Sequence, residues 1–230
     1  MLFRSLFARM PYEASRDFAP ITQVVRVPNV LVMNAATAER LGIHTLADLI
    51  RHAKAHPGQL NYGSGGNGSA GHLAFEYLKL VAGIDIAHIP YKGTGPQLVD
   101  LLAGRTQASS AGTPALLQHI RTNKLRAIGT GTLKRIPSMP DLMTIVEQGF
   151  PGFETAQWYG LNISSAVPSE IIRRVAEETR KAVHAPAVIK AFANDDAEAI
   201  GSTPQEYDAF IRAEQKIWSN IVKRAKIQTD

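Results

Sequence analysis

The chain contains no cysteine. That excludes disulfides, thiol nucleophiles and cysteine metal sites, while leaving the compartment open. It has no apolar run long enough to cross a bilayer, so direct membrane insertion is not expected. Charged residues make up only 20% of its 230 residues and hydrophobic residues 45%. This is a globular composition, with room for one large domain or two small lobes. The formal net charge is +5, yet there is no long basic tract. Lys and Arg are scattered, so a solvated basic surface is expected and a nucleic-acid partner is not. The seven His include no His-x-x-x-His pair with a nearby Glu, which leaves a metal site without support. No isolated pair of carboxylates sits in a glycine-rich setting, so no hydrolytic acid/base dyad is visible. A secretory signal is also missing from Met1–Met10, whose apolar run is broken by Arg4 and Arg9. An amphipathic targeting helix and the interior of a longer protein both fit that stretch.

What is present is an alternation of strand-like and helix-like segments. Ile21–Val27 is β-rich, and Val30–Met33 is a second apolar run after Pro28-Asn29. Thr45 with Asp48 forms a capping box for a helix lined by Leu46, Leu49, Ile50 and Ala53. Leu73, Tyr77, Leu80 and Val81 share a helical face, with Gly83 as the stop. Ile84–Ile89 reads as a strand, and Pro96 opens a helix. Gln107–Ala111 is a weak strand, and Thr113 with Pro114 caps and starts another helix. Leu125–Gly129 is a strand, Asp141–Gln148 a short helix, and Glu154–Ile163 β-like. Ser169 is expected to cap a helix running to His184. Thr203 with Glu206 caps a closing helix that buries Tyr207, Phe210, Ile211, Trp218 and Ile221. The pattern implies an α/β fold with an open, mainly parallel sheet and ligands at the carboxyl ends of strands.

The stretch Leu60–His72 organises the rest: strand, glycine-rich loop, helix start. Gly63, Gly65, Gly66 and Gly68 remove side chains that would shield the backbone. Their amides and the positive helix end make a place for an anion, with Ser64, Asn67 and Ser69 adding polar groups. Gly63-x-Gly65-x-x-Gly68 also matches the dinucleotide fingerprint literally, but no acidic residue ends the following strand. An NAD(P)-binding enzyme, a plain turn and a small organic anion all remain open; the reading carried forward is a carboxylate. A serine nucleophile finds no elbow around Ser64 or Ser69. His72, in the first turn of a helix, is expected to be neutral. Thr113 would form a second amide-rich mouth in the same cleft. Tyr91 and Lys92 are further candidates, Lys92 either pairing with an anion or simply solvated. Trp158 with Tyr159 is either core or ligand wall.

Read together, these segments have a precedent. Asn61-Tyr62-Gly63-Ser64-Gly65-Gly66-Asn67-Gly68-Ser69 with His72-Leu73-Ala74 is similar to a loop of the Bug/TctC substrate-binding proteins. The resemblance continues through His88–Gly93, Lys124–Ile128, Arg135–Asp141 and Trp158–Leu161, and earlier through Met10–Tyr12 and Asp17–Pro20. It implies a periplasmic-binding-protein type II-like fold, with two α/β lobes and a hinge crossed twice. A di- or tricarboxylate or an amino acid would sit between the lobes and pass to the membrane permease subunits of a tripartite tricarboxylate transporter. No cofactor and no catalysis are implied. Ser64, Gly65, Gly66, Asn67, Gly68 and Ser69 would line one side of the site, and Thr113 another, with Tyr91, Lys92 and Trp158 near it. The resemblance divides the chain into a first-lobe remnant and hinge (1–29), a second lobe (30–149) and a return to the first lobe (150–230). Family members begin with an export signal and a first lobe that this chain is expected to lack in large part. The expected result is an incomplete first lobe, with self-association through its exposed remnant. The location is periplasmic by resemblance, or cytoplasmic if Met1 is the true start. Ser109-Ser110-Ala111-Gly112 stands where the family has an apolar strand ending in an acidic residue.

Overall fold

The structure, a computed structural model, describes residues 11–227. The reading of Met1–Met10 lies outside the described residues. In chain order the elements are α1 (Ala14–Asp17), β1 (Phe18–Asn34), α2 (Ala35–Leu41), α3 (Leu46–Ala55), β2 (Asn61–Ser64) and α4 (Ala70–Ala82). There follow β3 (Ala87–Pro90), α5 (Thr94–Leu102), β4 (Ala108–Gly112), α6 (Thr113–Arg121) and β5 (Leu125–Thr130). The chain closes with β6 (Ala156–Ser164), α7 (Ser169–Val183), α8 (Pro186–Ala193), β7 (Glu198–Ala199) and α9 (Pro204–Arg224).

The chain divides into two compact units. One is the continuous segment Pro28–Gln157; the other joins the chain up to Val27 with everything from Trp158 onward. The breaks fall inside β1 and inside β6. The two apolar runs expected on either side of Pro28-Asn29 are therefore one 17-residue strand.

In the continuous unit the strand order is β3-β2-β4-β1-β5. β2 pairs in parallel with β3 and with β4, whereas β1 runs antiparallel to β4 and to β5. Four strands thus share one direction and β1 opposes them, so the mainly parallel sheet expected from the alternation is a mixed one. One face of the sheet carries Leu31, Met33 and Tyr62, buried with Leu46 and Leu49 of α3 and Phe75 and Leu78 of α4. The other carries Val30, Val32 and Ala111 against Leu101 of α5 and Leu116 of α6. Alternate residues of β1 feed the two layers, as the period of a strand requires.

The other unit pairs β1 with β7 (Val25 with Ala199) and with β6. Tyr207, Ile211, Trp218, Ile221 and Val222 give α9 its buried face. Phe210 is only half-buried.

Capping chemistry explains where several helices start. Thr45–Asp48 and Thr203–Glu206 both form complete capping boxes. Other expectations need correction. Gly112, not Thr113, is the N-cap of α6, and Pro168, not Ser169, that of α7. Asp141–Gln148 is not a helix; it is a turn whose Thr144 bridges Thr130. Pro140 before it and the bonded Thr144–Glu147 pair favour local turns over a continuous ladder. On α4, Leu78 and Phe75 are buried, while Val81 faces solvent.

Candidate functional site

β3, β2 and β4 are neighbours and parallel, so their carboxyl ends share one edge of the sheet. At that edge β3 leads to α5, β2 to α4 and β4 to α6. Three helix N-termini therefore open side by side. None of the three carries an acidic residue in its first turn. Their partial positive charge is left for something else to satisfy.

The loop after β2 is held from several sides. Gly93 N–H donates to Gly65 O at 3.1 Å, and Tyr91 N–H to Ser64 O at 3.1 Å. Gly66 (φ +121°) and Gly68 (φ +75°) adopt backbone conformations that side chains disfavour. Gly71 has a different reason: a Cβ there would lie 2.1 Å from Ser110 O, so only glycine lets α4 rest on β4. Nothing in the spacing of the motif singled out Gly71, because the demand comes from a strand 39 positions away in sequence, by the numbering of Gly71 and Ser110.

The side chains of the loop are largely occupied within it. Ser64 is buried; its Oγ accepts the Gly66 N–H at 3.1 Å and lies 2.7 Å from His88 Nε2. Ser69 is the N-cap of α4, its Oγ accepting the His72 N–H at 3.3 Å. His72 Nδ1 accepts the Gly68 N–H at 3.0 Å. Two of the glycine amides expected to be bare are thus bonded inside the loop. The donors left over include the backbone amides of Gly65 and Asn67, the first-turn amides of Ala70 and Gly71, which lack an intrahelical acceptor, and the exposed Asn67 side chain.

Beneath the loop, Phe75, Tyr62, His88 and His72 form a column of stacked rings, with successive centroids 3.9, 4.8 and 4.0 Å apart. Tyr62 donates to Glu76 Oε1 at 2.7 Å, and Lys79 Nζ donates to the same oxygen at 2.7 Å. Burial and the negative Glu76 push the Tyr62 phenol far up, so it stays a donor. Burial, then the neighbouring His72 and Lys79, hold His88 down at about 4. Burial likewise lowers His72, partly opposed by Glu76. Both imidazoles are neutral at pH 7.

The other candidates are spread around the same unit. Tyr91 donates to Asp100 Oδ2 at 2.7 Å, and burial followed by that bond pushes its phenol up to about 12. Lys92 is exposed and makes no hydrogen bond or ion pair among the described residues. Thr113 begins α6 and is fully buried. Trp158 belongs to the other unit, where its Nε1 donates to Glu214 Oε2 at 3.0 Å and its ring meets Tyr207 and Phe210 edge-on. The sequence reading missed His88 and Gln97. Gln97 is 1% exposed, set against Gly63, and its Nε2 has no hydrogen-bond partner. A polar residue on the apolar face of α5 was the available signal. Among the described residues no group of three or more potential ligands could hold a metal ion, and no helix is long and apolar enough to cross a membrane.

Residues 4–227 match the model of the tripartite tricarboxylate transporter family receptor. The chain belongs to this receptor family. It is a family of binding proteins, not of enzymes. Relatives of this family member include BugT of Bordetella pertussis, 34% identical over 219 residues. That match takes in 95% of this chain and 66% of BugT. A second is the protein of the tcbD–tcbE intergenic region of a Pseudomonas species, 30% identical over 99% of this chain and 67% of its own. The chain therefore spans about two thirds of the length of the curated relatives it matches. Among solved structures, R. palustris Rpa4515 with adipate aligns with a TM-score of 0.89 at 32% identity, covering 97% of this chain and 73% of that one. The periplasmic binding protein BugD aligns with a TM-score of 0.90 at 26% identity, covering 100% and 76%. The receptor-family fold is thus shared across both units described above.

Proposed function

We propose that this receptor-family chain captures a small dicarboxylate without transforming it, for delivery to the permease subunits of a tripartite tricarboxylate transporter in the periplasm. The observation that carries the reading is the row of three helix N-termini at one sheet edge with no acid in their first turns. Such an edge neutralises a carboxylate with amides and helix ends rather than with arginine. The adipate found with the 32%-identical R. palustris relative supports a dicarboxylate in particular. Within the continuous unit, the loop of Ser64, Gly65, Gly66, Gly68 and Ser69 shapes one side of the site, Asn67 and the Ala70 and Gly71 amides act as donors, and Thr113 with the α6 first turn supplies the other side. Tyr91 braces the loop through Asp100, and Lys92 supplies long-range attraction. The two units correspond to the two lobes of the family.

Calorimetric titration with adipate, malate and citrate, with NADP as control, tests this. Adipate or malate is expected to bind, and Asn67→Ala to weaken binding about tenfold, the worth of one hydrogen bond to a charged group. Saturation by NADP with no response to any carboxylate would reverse the reading in favour of the dinucleotide fingerprint.

A further inference from the structure

Each ring of the stacked His72–His88 pair ends one branch of the loop's internal hydrogen bonding. On one branch the Gly68 N–H donates to His72 Nδ1 at 3.0 Å. That bond assigns His72 as the tautomer with its proton on Nε2. On the other branch the Gly66 N–H donates to Ser64 Oγ, and the Ser64 hydroxyl lies 2.7 Å from His88 Nε2. The Ser64 hydroxyl has two acceptors within reach, His88 Nε2 at 2.7 Å and Gly66 O at 3.2 Å, so His88 Nε2 either accepts from Ser64 or donates to it according to its tautomer. The two rings lie 4.0 Å apart and 10° from parallel. A proton placed on His72 Nδ1 would confront the Gly68 N–H donor with a second donor. A proton on His88 Nε2 would turn the Ser64 hydroxyl onto Gly66 O, 3.2 Å away, and so change the bonding around Gly66. Protonating both would stack two like charges.

We propose that the His72–His88 pair positions the Gly63–Ser69 loop, His72 accepting the Gly68 N–H and His88 bonding the Ser64 hydroxyl that holds the Gly66 N–H, so that acid loosens the loop and releases the ligand. This rests on the carboxylate reading given above. The role is one of positioning, since the rings lie under the loop and act through Gly68 and Ser64. Other titratable groups surround the pair. Glu76 and Lys79 face it from α4, with Lys79 5.8 Å from the Tyr62 ring centre, and Tyr62 faces it from β2. Tyr91 and Asp100 are bonded to each other across the far side of Gly63. Glu76 already accepts from both Tyr62 and Lys79, so its charge is partly spent before it reaches His72. Burial acts on both rings toward the neutral form.

The test combines three measurements on the full chain. Side-chain nitrogen chemical shifts read the tautomers, hydrogen exchange reads the protection of the Gly68 amide, and adipate titration from pH 8 to pH 4 reads the site. His72→Asn keeps an acceptor near the Nδ1 position without a titratable ring. His72→Phe keeps the stacking and removes the acceptor. His88→Gln repeats the first substitution on the other branch. The expected result is a loss of adipate affinity in the wild type as the pH falls toward 4, steeper than the loss that protonation of adipate itself produces in His72→Asn. His72→Asn is expected to hold its neutral-pH affinity with a flatter profile, and His72→Phe to lose about tenfold at every pH together with Gly68 protection. Thermal melts identify any variant that fails to fold, in which case His88→Gln and the wild-type tautomers decide. Gly68 protection unchanged in a folded His72→Phe, or the opposite tautomer at His72, overturns the proposal. If no carboxylate binds at any pH while Gly68 protection still depends on His72, the positioning role stands and the carboxylate reading falls.

Discussion

At the scale of single residues, the continuous unit depends on a few contacts that leave no tolerance. Gly71 is the clearest case, because its α-hydrogen side faces Ser110 O. Gly71→Ala would press a methyl group into a backbone oxygen, and α4 would have to lift off β4. A destabilisation of about 2–3 kcal/mol is expected, from overpacking against an atom that cannot rotate away. Urea unfolding would register it as a lower midpoint with an unchanged slope; a midpoint equal to wild type would mean the helix has slack there. The histidines make a second residue-scale prediction. His88 has its folded pKa at about 4, below the usual 6.5. Between those values the unfolded chain binds a proton that the folded chain does not, so stability rises with pH across that window and is flat above it. Read downward, stability falls as pH drops from about 6.5 toward 4, by on the order of 1 kcal/mol given that the ring is partly solvated. Melting temperatures of wild type and His88→Gln across pH 4–8 check the sign: the variant is expected to lose less on acidification.

At the scale of elements, termini and faces were legible where the chemistry is local. Thr45 with Asp48 and Thr203 with Glu206 close both bonds of their capping boxes. Asp48 is held at about 2 by bonds from the Thr45 hydroxyl and the His44 amide, then by Arg51. Those pairs lie three residues apart, so neighbouring residues alone decide them. Thr203→Ala should cost about 1 kcal/mol and shift the unfolding of α9's unit, which a melt followed at the tryptophans Trp158 and Trp218 would report. Where a start depends on the strand before it, the reading slipped by a residue. Gly112 ends β4 in extended conformation and becomes the cap of α6, pushing Thr113 into the helix. Asp141–Gln148 had the composition of a helix, but Thr144 is taken by a bridge to Thr130 and by Glu147.

At the scale of the whole molecule, the breaks within β1 and β6 make one unit continuous and the other discontinuous. Both buried apolar clusters of the continuous unit, one under α3 and α4 and one under α5 and α6, draw only on residues 30–153. The fragment 28–157 is therefore expected to fold by itself with a cooperative melt. A fragment with no melting transition and no amide protection would mean that its strands need the rest of the chain. The other unit exposes Phe18, Tyr159, Leu161, Ile171 and Ile217. Concentration-dependent self-association of the isolated chain is expected from such a surface and is measurable by light scattering; a monomer across a hundredfold concentration range would count against it.

The amino-acid order by itself determined the α/β class, both capping boxes, the strand–loop–helix run around Gly63–Ser69 and the family to which the chain belongs. Each rests on short-range chemistry or on a run of motifs readable in order. Only the tertiary structure decided that β1 opposes the other four strands of the continuous unit, that Gly71 must be glycine, and that two loop amides are already bonded through Ser64 and His72. It also decided that Trp158 lies in a different unit from the loop. These outcomes turn on partners far apart in sequence. Pairing direction, close approach and hydrogen-bond acceptors are settled by which strands meet, and periodicity along a single strand carries no record of that.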